Sequence, residues 1–306
     1  MRAFTLESFD TAPSVTETPD PRPGDGELMV RVCASSANPV DAFIAGGVLR
    51  ERAEHEFPVT LGRDFAGTVE DVGAGVDRYR VGDEVFGYVP HLNPNVHAGS
   101  WSELITVPQD DFVSAAPGSV EARLAGAAPL AAITALAIVD ALAPSRGETV
   151  QVVGASGGVG SFVVQLVAGA GARVVAAGLP EDESYLRTLG AGEVVDRSGD
   201  VTAAVREACP DGVDALADLV STQPDVSTLK DAGRVASPRG AAGEGPGRFN
   251  VMAAPTPANI ERVARLLDAG ALRVLLQNTY GLERAAEALQ ALQNTHTQGK
   301  VGITIG

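Results

Sequence analysis

The residues whose type and spacing point most directly to chemistry form one short run. Val152-Val153 leads into Gly154-Ala155-Ser156-Gly157-Gly158-Val159-Gly160, and an apolar stretch at 162–170 follows. Small residues between a strand and a helix allow a tight turn and let backbone N–H groups approach an anion. The first turn of the helix adds its dipole, so the run is a candidate pyrophosphate cradle. The spacing is Gly154-x-x-Gly157-x-x-Gly160, with Ala155 where the stricter G-x-G-x-x-G pattern has its second glycine. Ser156 gives only a partial likeness to a G-x-S-x-G nucleophile turn, and no His/Asp set supports it, so the pyrophosphate reading stands ahead.

A dinucleotide would meet the tip of the next strand, 173–177, with its adenine ribose. That strand ends Ala177-Gly178-Leu179 without an acid, and Glu181, Asp182 and Glu183 come only afterwards. A carboxylate at the tip would accept from a ribose 2′-hydroxyl and repel a 2′-phosphate, so its absence permits the phosphorylated cofactor. Arg197, just past the following strand, is the nearest cation for that phosphate; a solvated surface arginine is the alternative reading. The two cysteines, Cys33 and Cys209, are too few for a disulfide framework or a four-thiolate zinc site, and Cys33 is read as a small core residue. His55, His91 and His97 have no paired helical spacing.

The elements that position these residues change in texture along the chain. Up to about Pro117, short alternating stretches (28–32, 67–72 and 81–87) sit among recurring Gly and Pro, which suits an antiparallel barrel. From about Glu121 the chain is Ala-rich and helical. Strands at 149–153, 173–177 and 193–196 then alternate with helices at 162–170, 183–189 and 202–208, the signature of βαβ units and a parallel sheet. Residues 213–236 extend the alternation, 240–247 read as a mobile loop, and the tail offers helix 258–268, strand 273–277, helix 282–294 and strand 300–305. The 306 residues give room for two domains, and 45% hydrophobic with 20% charged residues is an ordinary globular balance. A net charge of −16 argues against nucleic-acid binding, which rests on clustered Lys and Arg. The longest uncharged run, 124–139, contains Pro129 and is shorter than the ~20 residues of a membrane span, and residues 1–10 carry no signal-peptide pattern. A cytoplasmic protein is expected.

Six ordered motifs carry a resemblance across nearly the whole chain. They are Ser36-Ala37-Asn38-Pro39-Val40-Asp41, Leu61-Gly62-Arg63-Asp64-Phe65-Ala66-Gly67, Val81-Gly82-Asp83-Glu84-Val85-Phe86-Gly87, Gly99-Ser100-Trp101-Ser102-Glu103, the loop 154–160, and Gly299-Lys300-Val301. Together they resemble the medium-chain dehydrogenase/reductase superfamily, and within it the zinc-free quinone oxidoreductases of the zeta-crystallin type. The resemblance implies an α/β fold: a GroES-like β-barrel catalytic domain (1–119 and 270–306) with an inserted Rossmann doubly wound parallel-sheet domain (120–269). It also implies NADPH, NADH not being excluded, as donor of a hydride to a quinone or an α,β-unsaturated carbonyl, with the nicotinamide facing the barrel.

Zinc enzymes of the superfamily have Cys where this chain has Asn38, and His-Glu where it has Arg63-Asp64. Asparagine and arginine do not ligate Zn²⁺, so no zinc is expected. By the same resemblance Asn38 orients substrate or the nicotinamide carboxamide, the alternative being an Asn before Pro that builds a turn. Phe43 replaces a tyrosine, leaving stacking without a phenolic donor. Thr134, Ser221, Ser237, Arg239, Val251 and Met252 fall where relatives approach the nicotinamide end, though Thr134 can equally bond its own helix. Asp41 and Tyr88 are read as structural, and no general acid is assigned. The implied assembly is a homodimer through the Rossmann sheet edge. A nucleotide-binding sensor with little turnover, and an enoyl reductase acting on carrier-bound chains, stay open beside the quinone or enone reductase.

Overall fold

The computed structural model describes residues 1–90, 96, 98–253, 256–294 and 296–306. Strands β1 (Arg2–Leu6), β2 (Ser14–Glu17) and β3 (Glu27–Ala37) open the chain, and helix α1 (Pro39–Ala45) follows. Then come β4 (Val59–Thr60), β5 (Asp64–Val72), β6 (Glu84–Tyr88), β7 (Leu104–Pro108) and β8 (Val113–Ala115), with helices α2 (Ala122–Ala125) and α3 (Pro129–Leu142). The alternating region runs β9 (Thr149–Val153), α4 (Gly158–Gly169), β10 (Arg173–Gly178), α5 (Glu183–Thr188), β11 (Glu193–Asp196), α6 (Val201–Ala208), β12 (Val213–Asp218), β13 (Leu229–Ser237) and β14 (Arg248–Asn250). The chain closes with α7 (Pro257–Asp268), β15 (Leu276–Gly281), α8 (Ala285–Asn294) and β16 (Lys300–Thr304).

Two compact units result: Met1–Leu130 with Pro255–Ala269 and Val274–Gly306, and Ala131–Ala254 with Gly270–Arg273. In the first unit a sheet of order β15-β16-β3-β5-β6-β8, with β7 also on β3, stands beside a smaller β2-β1-β4 sheet. The period-two pattern of β3 decides its faces. Leu28, Val30, Val32 and Ala34 go inward, and Arg31 and Cys33 outward. Cys33 is therefore not the core residue expected from its type: it falls on the exposed phase of the strand, its thiol bonded to the Ala66 carbonyl. Phe4, Phe65, Trp101 and Ile303 belong to the core beneath. Gly62 has φ +88°, and a Cβ there would lie 2.1 Å from the Trp101 ring, so this turn accepts only glycine. That contact ties the Leu61-Gly62-Arg63-Asp64 motif to Gly99-Ser100-Trp101.

The second unit is a six-stranded parallel sheet of order β11-β10-β9-β12-β13-β14. Its strands leave β9 first to one side and then to the other, so the order reverses between β9 and β12, the place where open sheets of this kind take their ligands. In β9, Val150 and Val152 are buried on one face and Gln151 on the other, as suits a strand covered on both sides, and α6 begins where the Asp200 carboxylate accepts from the Ala203 N–H at 2.9 Å.

The division differs from the expected 1–119/270–306 and 120–269. Residues 120–130 and α7 group with the barrel unit, because α7 packs on β8 and Asp268 accepts from Ser119 at 2.9 Å. The stretch 226–236 is largely one strand, β13, bent at Ala232 with φ +62°, and the strand expected at 273–277 lies at β15. In the segment 240–247, Ala242 is buried and its N–H is held by Asn250 at 2.8 Å. Among the described residues no helix is long and apolar enough to cross a membrane.

Candidate active site

In the second unit the sheet brings most of the expected residues to one end. Gly154 follows β9, Gly178 ends β10, Arg197 follows β11, Ser221 follows β12, Ser237 and Arg239 end and follow β13, and Val251 and Met252 follow β14. All six strands are parallel, so these carboxyl ends share one rim.

The loop at the centre of that rim is built by exclusion of side chains. Gly154 has φ +82°, which L residues avoid, and a Cβ on Gly160 would lie 2.1 Å from the Gly154 carbonyl. Ala155 and Ser156 are buried beneath the turn. Gly157 caps α4 without a side-chain bond, and the first intrahelical bond is Ser161 N–H to Gly157 O at 2.9 Å. The N–H groups of Gly158, Val159 and Gly160 thus precede the helix ladder and, with the dipole of α4, form an anion cradle. The fit to a pyrophosphate rests on this close turn, which a Cβ on Gly160 would force apart.

Neighbouring strand ends are shaped by buried acids. Asp182 is fully buried and accepts from the Leu179 N–H at 2.9 Å, so this acid serves the loop's own backbone. The Arg197 N–H donates to the Gly178 carbonyl at 2.9 Å, which seats that residue beside the β10 tip with an exposed side chain. Asp218 accepts from the Val220 and Ser221 N–H groups at 3.1 and 2.8 Å, and the Ser237 hydroxyl from the Arg239 N–H at 3.2 Å. Val251 donates to the Ser237 carbonyl at 3.0 Å, and Met252 is 80% exposed. Thr134 is buried in α3.

In the first unit Asn38 sits at the hub of a buried polar network. Its Nδ2 donates to Asp64 Oδ2 at 2.8 Å and, more distantly, to Ser36 Oγ at 3.4 Å. Its Oδ1 accepts from Lys300 Nζ at 2.5 Å. Asp64 Oδ2 also accepts from Ser36 Oγ at 2.6 Å and lies 3.5 Å from Lys300 Nζ, while Asp64 Oδ1 accepts from the Leu130 N–H at 2.7 Å. Asp41 forms the second centre. It accepts from the N–H of Asn38 at 2.8 Å and of Gly62 at 3.1 Å, with the Arg63 guanidinium 4.0 Å away. Arg63 also donates to the Pro90 carbonyl at 3.2 Å. Asp41 thus braces the Asn38 turn, as its structural reading anticipates.

Burial governs the titration of these groups. It pushes the Asp41 carboxyl up to about 7, against the opposing pull of Arg63 and the Asn38 N–H. It lowers Arg63 and Lys300 from their ordinary values, with Asp41 opposing for Arg63 and Asp64 and Asp41 for Lys300. Each centre pairs one acid with one base, the arrangement that makes buried charge tolerable; removing one partner of such a pair costs ~3–5 kcal/mol.

Lys300 is the residue that sequence reasoning passed over. Its motif was recognised, but its role was not. The available signal was a lysine at an inward position of an otherwise apolar closing strand, in a chain with only two lysines. Phe43, by contrast, is 42% exposed on α1, and Tyr88 is buried 6.3 Å from Phe112. A barrel cavity of 320 Å³, lined in part by Tyr88, Leu104, Asp111 and Phe112, includes none of the expected site residues.

The residues standing where zinc ligands would be expected do not fit a metal. Asn38 and Asp64 bond each other, and Arg63 is itself a cation. Among the described residues no cluster of three or more His, Cys, Asp or Glu could hold one; His91 and His97 lie outside the described residues.

Comparison with known proteins adds to this geometry. A family model described as the alcohol dehydrogenase GroES-like domain matches residues 24–117, and one described as zinc-binding dehydrogenase matches residues 189–301. A quinone oxidoreductase of Sus scrofa is 28% identical, with 100% of this chain and 96% of that protein covered. A chloroplastic NADPH-dependent alkenal/one oxidoreductase of Arabidopsis thaliana is also 28% identical, over 97% of this chain and 75% of its own length. Among solved structures, an alcohol dehydrogenase superfamily protein from Novosphingobium aromaticivorans superposes with a TM-score of 0.86 at 28% identity, covering 100% of both chains. The quinone oxidoreductase of Coxiella burnetii shares the fold, with a TM-score of 0.87 at 24% identity and 100% and 99% coverage.

Proposed function

The chain is a quinone-oxidoreductase-like member of the medium-chain dehydrogenase/reductase superfamily, an NAD(P)H oxidoreductase, and from that premise we propose that it is an NADPH-dependent, zinc-free reductase of quinones or α,β-unsaturated carbonyls. The observation that carries this reading is a pairing. The dinucleotide cradle of 154–160 is intact, while the positions that hold metal ligands in zinc relatives are closed by the Asn38–Asp64–Lys300 network.

The backbone N–H groups at the start of α4 hold the pyrophosphate. Arg197 takes the 2′-phosphate: it flanks the β10 tip, and the acid that could have faced the ribose there, Asp182, is turned into the fold. Thr134, Ser221, Ser237, Arg239 and Val251 serve the nicotinamide end, and Met252 and Phe43 offer apolar surface to it. A bound reduced nicotinamide supplies the hydride, and the protein contributes position and electrostatics. Asn38 orients the nicotinamide carboxamide or the substrate oxygen through the N–H now directed loosely at Ser36. Without a metal to polarise an alcohol, hydride addition to an activated double bond or quinone is the favoured direction. No general acid is assigned, and with no phenol on Phe43 this reading takes the proton from solvent. The same reading places the enzyme in the cytoplasm, without nucleic-acid or membrane partners. It makes the enzyme a homodimer formed through an edge of the parallel sheet, whose two edge strands are β11 and β14.

The test is a spectrophotometric panel in which NADPH and NADH are offered with several quinones, enones and alcohols, with and without a strong chelator. NADPH oxidation that requires a quinone or enone and survives chelation is expected. Saturable binding without turnover would make the chain a nucleotide sensor, and turnover only of thioester-linked chains would make it a carrier-dependent enoyl reductase. Loss of activity on chelation would overturn the zinc-free assignment. Light scattering of the eluted protein decides the dimer.

A further inference from the structure

We propose that Lys300 is a positioning residue for Asn38, acting through the orientation of its side-chain amide. The proposal deepens the functional reading above and rests on its assignment of Asn38 as an orienting group. The two residues meet because of strand register. Val301 of β16 lies opposite Ala37 of β3 and Gly302 opposite Ser36, which brings Lys300 beside Asn38, the residue that follows β3. The ammonium is buried, at 4% exposure, in a strand whose other inward residues are apolar or glycine. A leucine there would serve packing with no desolvation penalty, so packing alone does not account for the charge.

An asparagine amide has two nearly isosteric orientations that exchange its oxygen and nitrogen. Here the two ends face opposite charges. Oδ1 meets Lys300 Nζ at 2.5 Å, and Nδ2 meets Asp64 Oδ2 at 2.8 Å. In the reversed orientation the amide N–H groups would confront the ammonium and the amide oxygen the carboxylate, and both contacts would be repulsive. Lys300 and Asp64 together therefore select one orientation, the one that leaves an Nδ2 N–H near Ser36 available to a bound group. Without Lys300 the preference weakens, because Oδ1 loses its donor and only Asp64 still distinguishes the two ends of the amide. Asp41 and Arg63 do not compete for the amide, since Asp41 is taken up by the N–H groups of Asn38 and Gly62 and by Arg63.

The experiment uses the full chain labelled with [15N]asparagine, which reports seven side-chain amides, the Asn38 pair being assigned with Asn38→Leu. In the native protein the Asn38 pair is expected to exchange slowly with solvent. Lys300→Met should speed that exchange tenfold or more while the other asparagines stay unchanged. Lys300→Gln, which keeps an N–H donor, should retain protection and stands in if the methionine variant does not fold. A double-variant cycle completes the test. Lys300→Met should lower kcat/KM and weaken reduced dinucleotide binding tenfold or more in the native background, and less than twofold in Asn38→Leu. Unaltered Asn38 exchange, or equal losses in both backgrounds, would show that Lys300 serves the fold alone and would overturn the proposal. If the native protein neither binds the dinucleotide nor turns over, the functional reading fails by itself, and amide exchange still judges the role of Lys300.

Discussion

Replacing Asp41 by asparagine should change how stability depends on pH, in a direction fixed by burial. The carboxyl is fully buried and pushed up to about 7, with the Arg63 guanidinium 4.0 Å away as the main opposing influence. In the unfolded chain the same group ionises near its ordinary value of 3.8. Between these two values the folded protein keeps a proton that the unfolded chain has lost, so stability falls as pH rises. Below 3.8 both states are protonated, above about 7 both are ionised, and neither range contributes a slope. Each pH unit is worth about 1.4 kcal/mol well below the folded value and half of that at it, so the native protein should lose about 2 kcal/mol relative to Asp41→Asn between pH 5 and pH 7. Urea unfolding of both proteins across pH 5 to 8, plotted as a difference, isolates this group from the other carboxylates of an acidic chain. A difference that is flat, or that rises with pH, would mean that the Arg63 pair outweighs desolvation and that Asp41 is ionised throughout. The burial argument for this centre would then be refuted.

Three further outcomes concern the second unit. Gly160→Ala places a Cβ 2.1 Å from the Gly154 carbonyl, so the cradle must open; dinucleotide binding followed by fluorescence should weaken at least roughly tenfold, about 1.4 kcal/mol, and unchanged affinity would remove the loop from the site. Arg197→Ala should weaken NADPH by roughly five- to tenfold and leave NADH alone, as expected for one exposed charge-assisted contact; equal effects on both would end its assignment to the 2′-phosphate. Ala232 holds φ +62° within β13, a conformation that costs a residue with a Cβ roughly 1–2 kcal/mol, so Ala232→Gly should raise the unfolding free energy by roughly 0.5–1 kcal/mol despite the looser unfolded chain; a lower unfolding free energy in urea would show that no strain is stored there.

Local patterns account for what the sequence determined by itself. The short strands among glycines, the alternation of strands and helices after residue 149, and the glycine run at 154–160 are each written in neighbouring residues, through side-chain period, turn chemistry and the steric demand of a tight loop. That Asn38 and Arg63 are not donors for Zn²⁺ is likewise a matter of residue type. Tertiary structure alone decided everything that depends on residues far apart meeting. Cys33 was misread because its face follows from the phase of β3 against β5 and β7, which composition does not carry. α7 joined the barrel unit through its packing on β8. Lys300 and Asn38, 262 positions apart, meet only because β16 pairs antiparallel to β3 in one particular register. A one-residue slip would turn the lysine to the opposite face, leaving Asp64 without its cation and the Asn38 amide without its donor.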